Sequence, residues 1–429
     1  MGLASGIKTN VVGMMLNTGM SVLGNILLVR YCLAANFGVL SFVTNNLALA
    51  LVLLSLGIDA GVGFALVNRA MSKEKLLALI CSMFPIFLLI VTAGLLILHY
   101  SIGFFNSTVF SLFCITYLTG NFLLAFFLPF YHSEGRYRRS NLMGLAFHSM
   151  VCLLSLVFLF ADEEGSYLPL FALLYALLFL LYGIAVAAPL LPARFSALAL
   201  PTMPQVQSLL KYSFTAFAAN LLFLLVYRID LWFIEFYCTD ADLGNYIQAS
   251  KLAHLFLLVP TYVATPIFFT VDEPGRTEGL SRLALLSRVL FVGNALLVLL
   301  ALGLGSFLFE RIYGESFDKL FPSFLGLSAG ILALSVNRII CAFWAREGQV
   351  RWNVIGNGIT LIVIIALDAI YIKDYGIEGA AVISSIGYTL FLLFNLYLMK
   401  TRYGANLSTF FLPHRSDFAA FNKHFFQRS

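Results

Sequence analysis

Charged side chains are scarce in this sequence. Asp, Glu, Lys and Arg make up 11% of the 429 residues, whereas an ordinary globular domain carries about 25%. Hydrophobic residues make up 61% of the chain, and the mean hydropathy is +0.93. So few charges exclude a soluble domain of this size. We therefore predict a membrane protein whose function lies inside or across a bilayer.

Motifs for nucleotides, metals and disulfides are missing as well. The sequence contains no GxxxxGK[ST], HExxH or Gly-rich dinucleotide motif, and its six cysteines form no CxxC pair. We expect neither a cofactor nor a metal site. An O-antigen polymerase or a membrane glycosyltransferase would need a large outer loop or a catalytic acid motif, and the outer loops here are short. We therefore expect a protein that is not an enzyme.

Long apolar runs fill the chain instead. A spanning helix needs about 20 apolar residues, and alternation with period 2, the mark of barrel strands, is absent. The predicted fold class is an all-α polytopic membrane protein with 12 transmembrane helices. The predicted spans cover residues 11–33, 39–66, 77–98, 109–131, 142–160, 168–190, 212–236, 245–269, 289–309, 321–343, 354–372 and 380–399.

Lysine and arginine are distributed unevenly between the two sides of these spans. Nineteen of the 26 fall on the side of both termini, three on the opposite side and four inside spans. The positive-inside rule then predicts that both termini are cytoplasmic. The basic residues are dispersed over seven segments, so we expect no nucleic-acid partner.

Two short motifs occur twice. YCxxAxxG covers 31–38 and 237–244, and F[YW]xxEGxxR covers 130–138 and 343–351. Each pair joins equivalent junctions six helices apart, which predicts two six-helix bundles of the same orientation, a parallel repeat, around a central cavity. The predicted organisation is a bundle over 1–190, a cytoplasmic linker over 191–211, a bundle over 212–400, and a basic, aromatic tail over 401–429.

Four cations fall inside predicted spans, where charge is costly and therefore often functional. Arg228 is a candidate for a cavity cation, and an ion pair between two helices is the alternative. Asp230, two residues on, points elsewhere on a continuous helix. Lys251 shares a polar face with Gln248, His254 and Tyr262, although a lysine can also extend to the membrane surface.

Arg30 and Arg338 are open to the same two interpretations, and Asn25 lies on a polar stripe of the first helix. The charge and polarity of these side chains suit a phosphate or pyrophosphate together with sugars. The candidate substrate-binding residues are Arg30, Arg228, Lys251, Arg338, Gln248 and Asn25.

Acids inside the spans are candidates for coupling transport to a proton or cation. Asp59 lies in a run whose GxxxG spacing, Gly57 to Gly61, permits close helix contact. It could equally pair with a neighbouring helix. Asp368 aligns with a polar stripe on the eleventh helix, but its place near the outer end of the span weakens the case for a buried acid. The candidate ion-coupling residues are Asp59, Glu235, Asp230 and Asp368.

Several degenerate motifs, in this order and spacing, make the chain resemble Wzx-type polysaccharide flippases of the MOP exporter superfamily. The resemblance covers about residues 5–400. Its carriers are LVRY through FG at 28–38, LGID at 56–59, RID at 228–230, LGNY at 243–246, IYG at 312–314 and YGIEGAA at 375–381.

The resemblance implies two six-helix lobes in the bacterial inner membrane. It implies transfer of an undecaprenyl-pyrophosphate-linked oligosaccharide to the periplasmic leaflet by alternating access. Arg30, Arg228 and Lys251 then become candidates for contact with the head group. The implied partners are this lipid-linked oligosaccharide, membrane lipids and the polysaccharide polymerase and chain-length machinery.

Two other transporter classes remain open. A multidrug or cation antiporter of the MATE type should need acidic sites for cationic substrates. A major-facilitator transporter shares the six-plus-six repeat, but its loop after the second helix should read GxxxDRxGR[RK], and here 67–75 reads VNRAMSKEK. The tail carries Phe418, Phe421 and Phe425 at helical spacing, as in a helix on an anionic membrane surface, and disorder is the alternative.

Overall fold

Helices make up nearly all of the chain that the computed structural model describes, namely residues 3–98, 100–162, 165–191, 199–258, 260 and 276–412. The described α-helices are α1 (Leu3–Ser55), α2 (Ile58–Val67), α3 (Lys73–Leu98), α4 (Ser107–Ser133), α5 (Tyr137–Ala161), α6 (Leu168–Ala187), α7 (Met203–Val226), α8 (Ile229–Tyr237), α9 (Asp240–Leu255), α10 (Arg276–Tyr313), α11 (Leu320–Arg346) and α12 (Arg351–Tyr403). Within these ranges, nine helical segments are long and apolar enough to cross a membrane. The protein is an all-α polytopic membrane protein, as predicted.

Two of the nine segments run across the junction between two predicted spans. The predicted span over 39–66 is itself interrupted, because α1 ends at Ser55 and α2 begins at Ile58. One residue inside α1, Leu33, has non-helical backbone angles (φ 59°, ψ 172°), and so does Gly376 inside α12 (φ 57°, ψ −147°). Both residues fall where the sequence places the end of one span and the start of the next. The adjoining spans are therefore joined end to end at a kink, without a loop.

One predicted helix boundary is wrong. The span over 289–309 left three arginines, 276, 282 and 288, in a loop, but α10 begins at Arg276 and runs for 38 residues. At ~1.5 Å per residue this is about 57 Å, longer than the ~30 Å hydrocarbon core. The basic end of the helix can therefore lie beyond the hydrocarbon. The Arg288 guanidinium there donates to the carbonyl of Thr409 at 2.8 Å.

The predicted seventh span is also interrupted. Between α7 and α8, Arg228 adopts φ −136° and ψ −11°, and its N–H donates to the carbonyl of Leu225, three residues back, at 3.1 Å. The sequence predicted that Arg228 and Asp230 point in different directions, on the assumption of one continuous helix. Because the helix breaks at Arg228 itself, this prediction has no basis in the structure.

The chain divides into two compact units, Met1–Leu221 and Leu222–Ser429. In the first unit, α4 packs along α6 and α1 along α5. Between α4 and α6 the approach is closest at Gly120, where an added Cβ would lie 2.5 Å from the carbonyl carbon of Phe179. The GxxxG run of α2 also makes the predicted close contact, because a Cβ on Gly61 would lie 2.1 Å from Ser213 Oγ of α7.

In the second unit, α11 packs along α12. The helices approach closely at Gly326, where an added Cβ would lie 2.8 Å from Ala381 Cβ. Gly326 is 206 residues after Gly120, the offset of the first repeated motif.

The second repeated motif folds in the same way in both units. In the first, α4 ends before Glu134, Gly135 has φ 69°, and the next N–H donates to the carbonyl of Tyr131 at 2.8 Å. In the second, α11 ends before Glu347, Gly348 has φ 68°, and the next N–H donates to the carbonyl of Trp344 at 2.8 Å. A glycine after the cap allows this left-handed turn. The repeat is thus present in the backbone as well as in the sequence.

Candidate functional site in the second unit

A buried acid on α8 is the centre of a polar cluster. Asp230 is 2% exposed. Its Oδ2 accepts hydrogen bonds from the Tyr246 hydroxyl of α9 and, at 3.1 Å, from Ser384 Oγ of α12. The two hydroxyls lie 3.2 Å apart. The other carboxylate oxygen, Oδ1, is buried without a hydrogen-bond partner among the described residues. The cluster therefore ties three helices together and leaves one acceptor unused.

A second acid lies deeper than the sequence suggested. Asp368 on α12 is 0% exposed, although its place near the outer end of a span had weakened the case for burial. Hydropathy gives a position along the span and does not show which neighbouring helix covers the side chain. Within the described ranges neither carboxylate oxygen of Asp368 has a hydrogen-bond partner. Asp230 lies near enough to act on Asp368 electrostatically.

Arg228 lies beside this pair, half-buried at the break between α7 and α8. It interacts electrostatically with Asp230 and with the hydroxyls of Tyr246 and Tyr388. Arg228 therefore belongs to the cluster around Asp230. The cluster thus contains both signs of charge inside the second unit.

Arg338 of α11 reaches the same interior through aromatic rings. Its guanidinium lies 4.6 Å from the ring centre of Phe223 and 5.9 Å from that of Tyr227. The Tyr227 ring in turn lies 5.3 Å from Tyr388 and 5.1 Å from His254. Contacts of a cation with ring faces are attractive, and they hold the planar guanidinium in place. One guanidinium nitrogen, Nε, is buried and without a partner in the described part of the chain.

Three other predicted residues lie on α8 and α9. Gln248 is 1% exposed and shares a hydrogen bond with Tyr313. Lys251 and Glu235 are half-buried. His254 contacts the carbonyl of Ser250 through Nδ1 at 2.7 Å, one turn back on α9. Tyr262, the fourth member of the predicted Lys251 face, lies outside the described residues, as does the tail beyond 412.

The first unit contains the remaining predicted site residues. Arg30 is exposed and Asn25 half-buried, both on α1. Asp59, in the first turn of α2, accepts a hydrogen bond from Ser55 Oγ at 3.0 Å. Asp59 therefore has a hydrogen-bond partner four residues before it, at the end of α1.

An ion pair lies at the start of α9, outside the predicted spans. Asp242 Oδ1 is 2.6 Å from Lys319 Nζ, and Thr239 completes a capping box with Asp242. Partial burial would raise the pKa of Asp242, but the hydrogen bonds from Lys319 and Thr239 outweigh it and hold the pKa below its usual range. The same pair raises the pKa of Lys319. This pair fixes the entry to the helix that carries Tyr246.

Sequence reasoning missed four residues of the cluster as site residues: Tyr227, Tyr246, Ser384 and Tyr388. Tyr246 was visible only as part of the LGNY motif. Consecutive serines in an apolar run at 384–385 were an available signal, since hydroxyls inside a span often bond another helix.

No family model matches the chain, and no curated protein matches it. Solved structures do. A lipid II flippase, MurJ, in an inward closed conformation has a TM-score of 0.63 at 14% identity over 93% of this chain and 89% of that one. An inward-facing multidrug resistance MATE family transporter of the MOP superfamily has a TM-score of 0.68 at 13% identity, covering 92% and 98%.

A third solved structure, the MATE transporter ClbM in complex with Rb⁺, has a TM-score of 0.53 at 13% identity and covers 97% and 96%. This chain has the fold of MOP superfamily transporters. The identities are too low to carry a substrate from these proteins to this chain. The similarity extends over nearly the whole length in each case, so the MOP fold accounts for both units.

Proposed function

We propose that this MOP-fold protein is a flippase that moves an undecaprenyl-pyrophosphate-linked oligosaccharide from the cytoplasmic to the periplasmic leaflet by alternating access. The observation that carries the proposal is Arg228, a half-buried cation inside a membrane-spanning segment. The acid beside it, Asp230, is already bonded to two hydroxyls. A pyrophosphate would add charged hydrogen-bond acceptors to the electrostatic interaction that this guanidinium has with Asp230.

The other cations have supporting roles in this proposal. Arg338, held against Phe223 and Tyr227, presents a planar donor that suits phosphate. Lys251 and Gln248 lie on the same helix as Tyr246 and offer hydrogen-bonding groups that suit sugars. Arg30 and Asn25 are the candidates that α1 contributes.

The paired acids Asp230 and Asp368 are proposed to bind the coupling ion, a proton or Na⁺. Three of their four carboxylate oxygens are buried without partners in the described chain. Two carboxylates and nearby hydroxyls are hard oxygen ligands that would satisfy a small cation. Asp59 and Glu235 remain weaker candidates for the same role. The protein would act as a transporter and not as an enzyme, in the bacterial inner membrane with both termini cytoplasmic.

The test is complementation of a bacterial host from which the gene has been deleted, with surface polysaccharide and lipid-linked oligosaccharide both quantified. Arg228→Ala should abolish the surface glycan and accumulate the intermediate in the cytoplasmic leaflet while protein abundance is unchanged. Lys373→Ala, which removes an exposed cation, is the matched control and should complement fully. Normal surface glycan with Arg228→Ala would refute the role of this cation.

A MATE-type antiporter of drugs or cations is the second candidate, and the buried acids favour it. If the deletion strain has unchanged surface glycan and raised sensitivity to cationic drugs, the antiporter function is supported instead. In that case Asp368→Asn should abolish drug resistance, and Arg228→Ala should leave it nearly intact.

A further inference from the structure

A line of polar side chains runs along the first half of α12. Asn353, Asn357, Thr360 and Asp368 share one helix face, because their spacings of four, three and eight residues each return close to the same direction. The side chains change from half-buried at Asn353 to 0% exposed at Thr360 and Asp368. From Asn353 to Asp368 the helix rises about 22 Å, a large part of the ~30 Å hydrocarbon thickness.

The second half of α12 and the adjoining α11 run alongside this face. At the start of the line, Asn353 Nδ2 donates to the carbonyl of Cys341, and Asn395 Nδ2 donates to Asn337 Oδ1 at 2.7 Å. In the middle, a Cβ on Gly387 would lie 3.3 Å from Thr360 Cγ2. Three residues before Gly387, Ser384 bonds Asp230. Polar or small residues therefore lie beside the line at its start and in its middle.

Unused hydrogen-bonding groups occur along the same line. The buried atoms without a partner among the described residues are Asn353 Oδ1, Asn337 Nδ2, Thr360 Oγ1 and both carboxylate oxygens of Asp368. Each such group is costly in a membrane interior. Buried water commonly bonds groups of this kind. A single orphan would mean little, but these four residues follow one path.

We propose that this path is a hydrated access route by which the coupling cation reaches Asp230 and Asp368 from the membrane face at which α12 begins. The inference rests on the proposed coupling role of those two acids. Ile364 is 0% exposed, lies between Thr360 and Asp368, and has its Cδ1 2.6 Å from where a Gly387 Cβ would be. It forms an apolar constriction across the route.

Helix association is the competing explanation, since amides bond neighbouring helices in membranes. Asn395 does so, because its Oδ1 accepts from Trp344 Nε1 at 2.9 Å. That role does not account for the unused groups of Thr360 and Asp368. The exposed arginines at the mouth, Arg351 and Arg402, stack on Trp352, where salt screens their charge.

The experiment measures access of Ag⁺, a monovalent cation that reacts with thiols. Thr360→Cys is introduced into full-length protein whose six native cysteines are replaced by alanine, and the protein is reconstituted in liposomes. The matched control is Ala176→Cys, equally buried at 0% exposure but on α6 of the first unit. We expect Thr360→Cys to react about tenfold faster or more, a difference of about 1.4 kcal/mol in activation free energy. Equal rates would overturn the route.

A second pair of variants tests the constriction. Ile364→Ala should raise ion leak through the reconstituted protein, while Thr360→Val should slow ²²Na⁺ or proton uptake without changing equilibrium affinity. Imposed Na⁺ and pH gradients distinguish the two ions. An Ile364→Ala leak equal to that of the unaltered protein would contradict the constriction. If Asp368→Asn still couples ions while Thr360→Cys reacts quickly, the proposed coupling site fails and the hydrated route stands.

Discussion

The contact between α4 and α6 makes a stability prediction that does not depend on the substrate. In Gly120→Ala the new methyl group would lie 2.5 Å from the carbonyl carbon and oxygen of Phe179 and 2.6 Å from the backbone nitrogen of Leu180. These are backbone atoms of a packed helix, so no side-chain rotation relieves the clash. Overpacking of this kind typically costs 1–3 kcal/mol, and about 1 kcal/mol is regained because alanine favours the helix.

Gly94→Ala is the matched control. Gly94 lies inside α3 with no atom within 4 Å of its added Cβ, so the substitution should stabilise by about 1 kcal/mol. The difference between the two variants, about 1–3 kcal/mol, isolates the packing cost. Reversible unfolding with dodecyl sulfate in mixed micelles measures it. Because of the repeat, Gly326→Ala should also destabilise the protein. The loss of stability should be smaller, because the new methyl group first meets the side-chain methyl of Ala381 and not backbone atoms. Equal stability of Gly120→Ala and Gly94→Ala would refute the close contact.

Three further predictions concern the second unit. Because the pKa of Asp242 is lowered, its pairing with Lys319 stabilises the fold above about pH 4 and is lost as pH falls through the lowered value. Lys319→Met should therefore cost about 0.2–1 kcal/mol at neutral pH, and melting curves should show no difference once Asp242 is protonated. Gly348→Ala, at φ 68°, should cost about 1–2 kcal/mol, whereas Gly358→Ala, in open helical space, should not destabilise in the same unfolding assay. Arg338→Lys should complement the deletion strain poorly, because an ammonium keeps the charge and loses the planar fork; full complementation would show that charge alone suffices.

Sequence patterns predicted the features that depend on local chemistry. Gly57 and Gly61 predicted a close helix contact, because a residue without Cβ lets a neighbouring helix approach more closely. The paired F[YW]xxEGxxR motifs predicted two equivalent helix ends, and the structure has them. In each case the residue type itself restricts or frees the backbone.

Features that depend on tertiary contacts were not predictable in this way. Neither glycine nor proline marks the break at Arg228, since 226–229 reads VYRI. Leu33 likewise has a positive φ without a sequence signal. The burial of Asp368 depends on which segments pack over it, and a hydropathy profile contains no such information. Arg228, Asp230 and Arg338 could be nominated as intramembrane charges, but their assembly with Tyr246 and Ser384 required the fold.

The two units share backbone features while their chemistry differs. At the motif offset of 206 residues, Arg228 and Asp230 correspond to Val22 and Gly24. At the offset of 211 that relates Gly376 to Gly165, both with positive φ, Asp368 corresponds to Val157. The paired acids and their arginine therefore have no counterpart at these positions of the first unit.

This asymmetry bears on mechanism. A charge inside a membrane span is costly and therefore usually has a function. A protein with two similar units needs a coupling site in only one of them to respond to an ion gradient. If the second unit carries that site, substitutions at Asp230 or Asp368 should abolish coupling on their own. The first unit's Asp59, already bonded to Ser55, should then tolerate Asp59→Asn with coupling retained. Loss of coupling with Asp59→Asn, at normal abundance, would mean that both units respond to the ion.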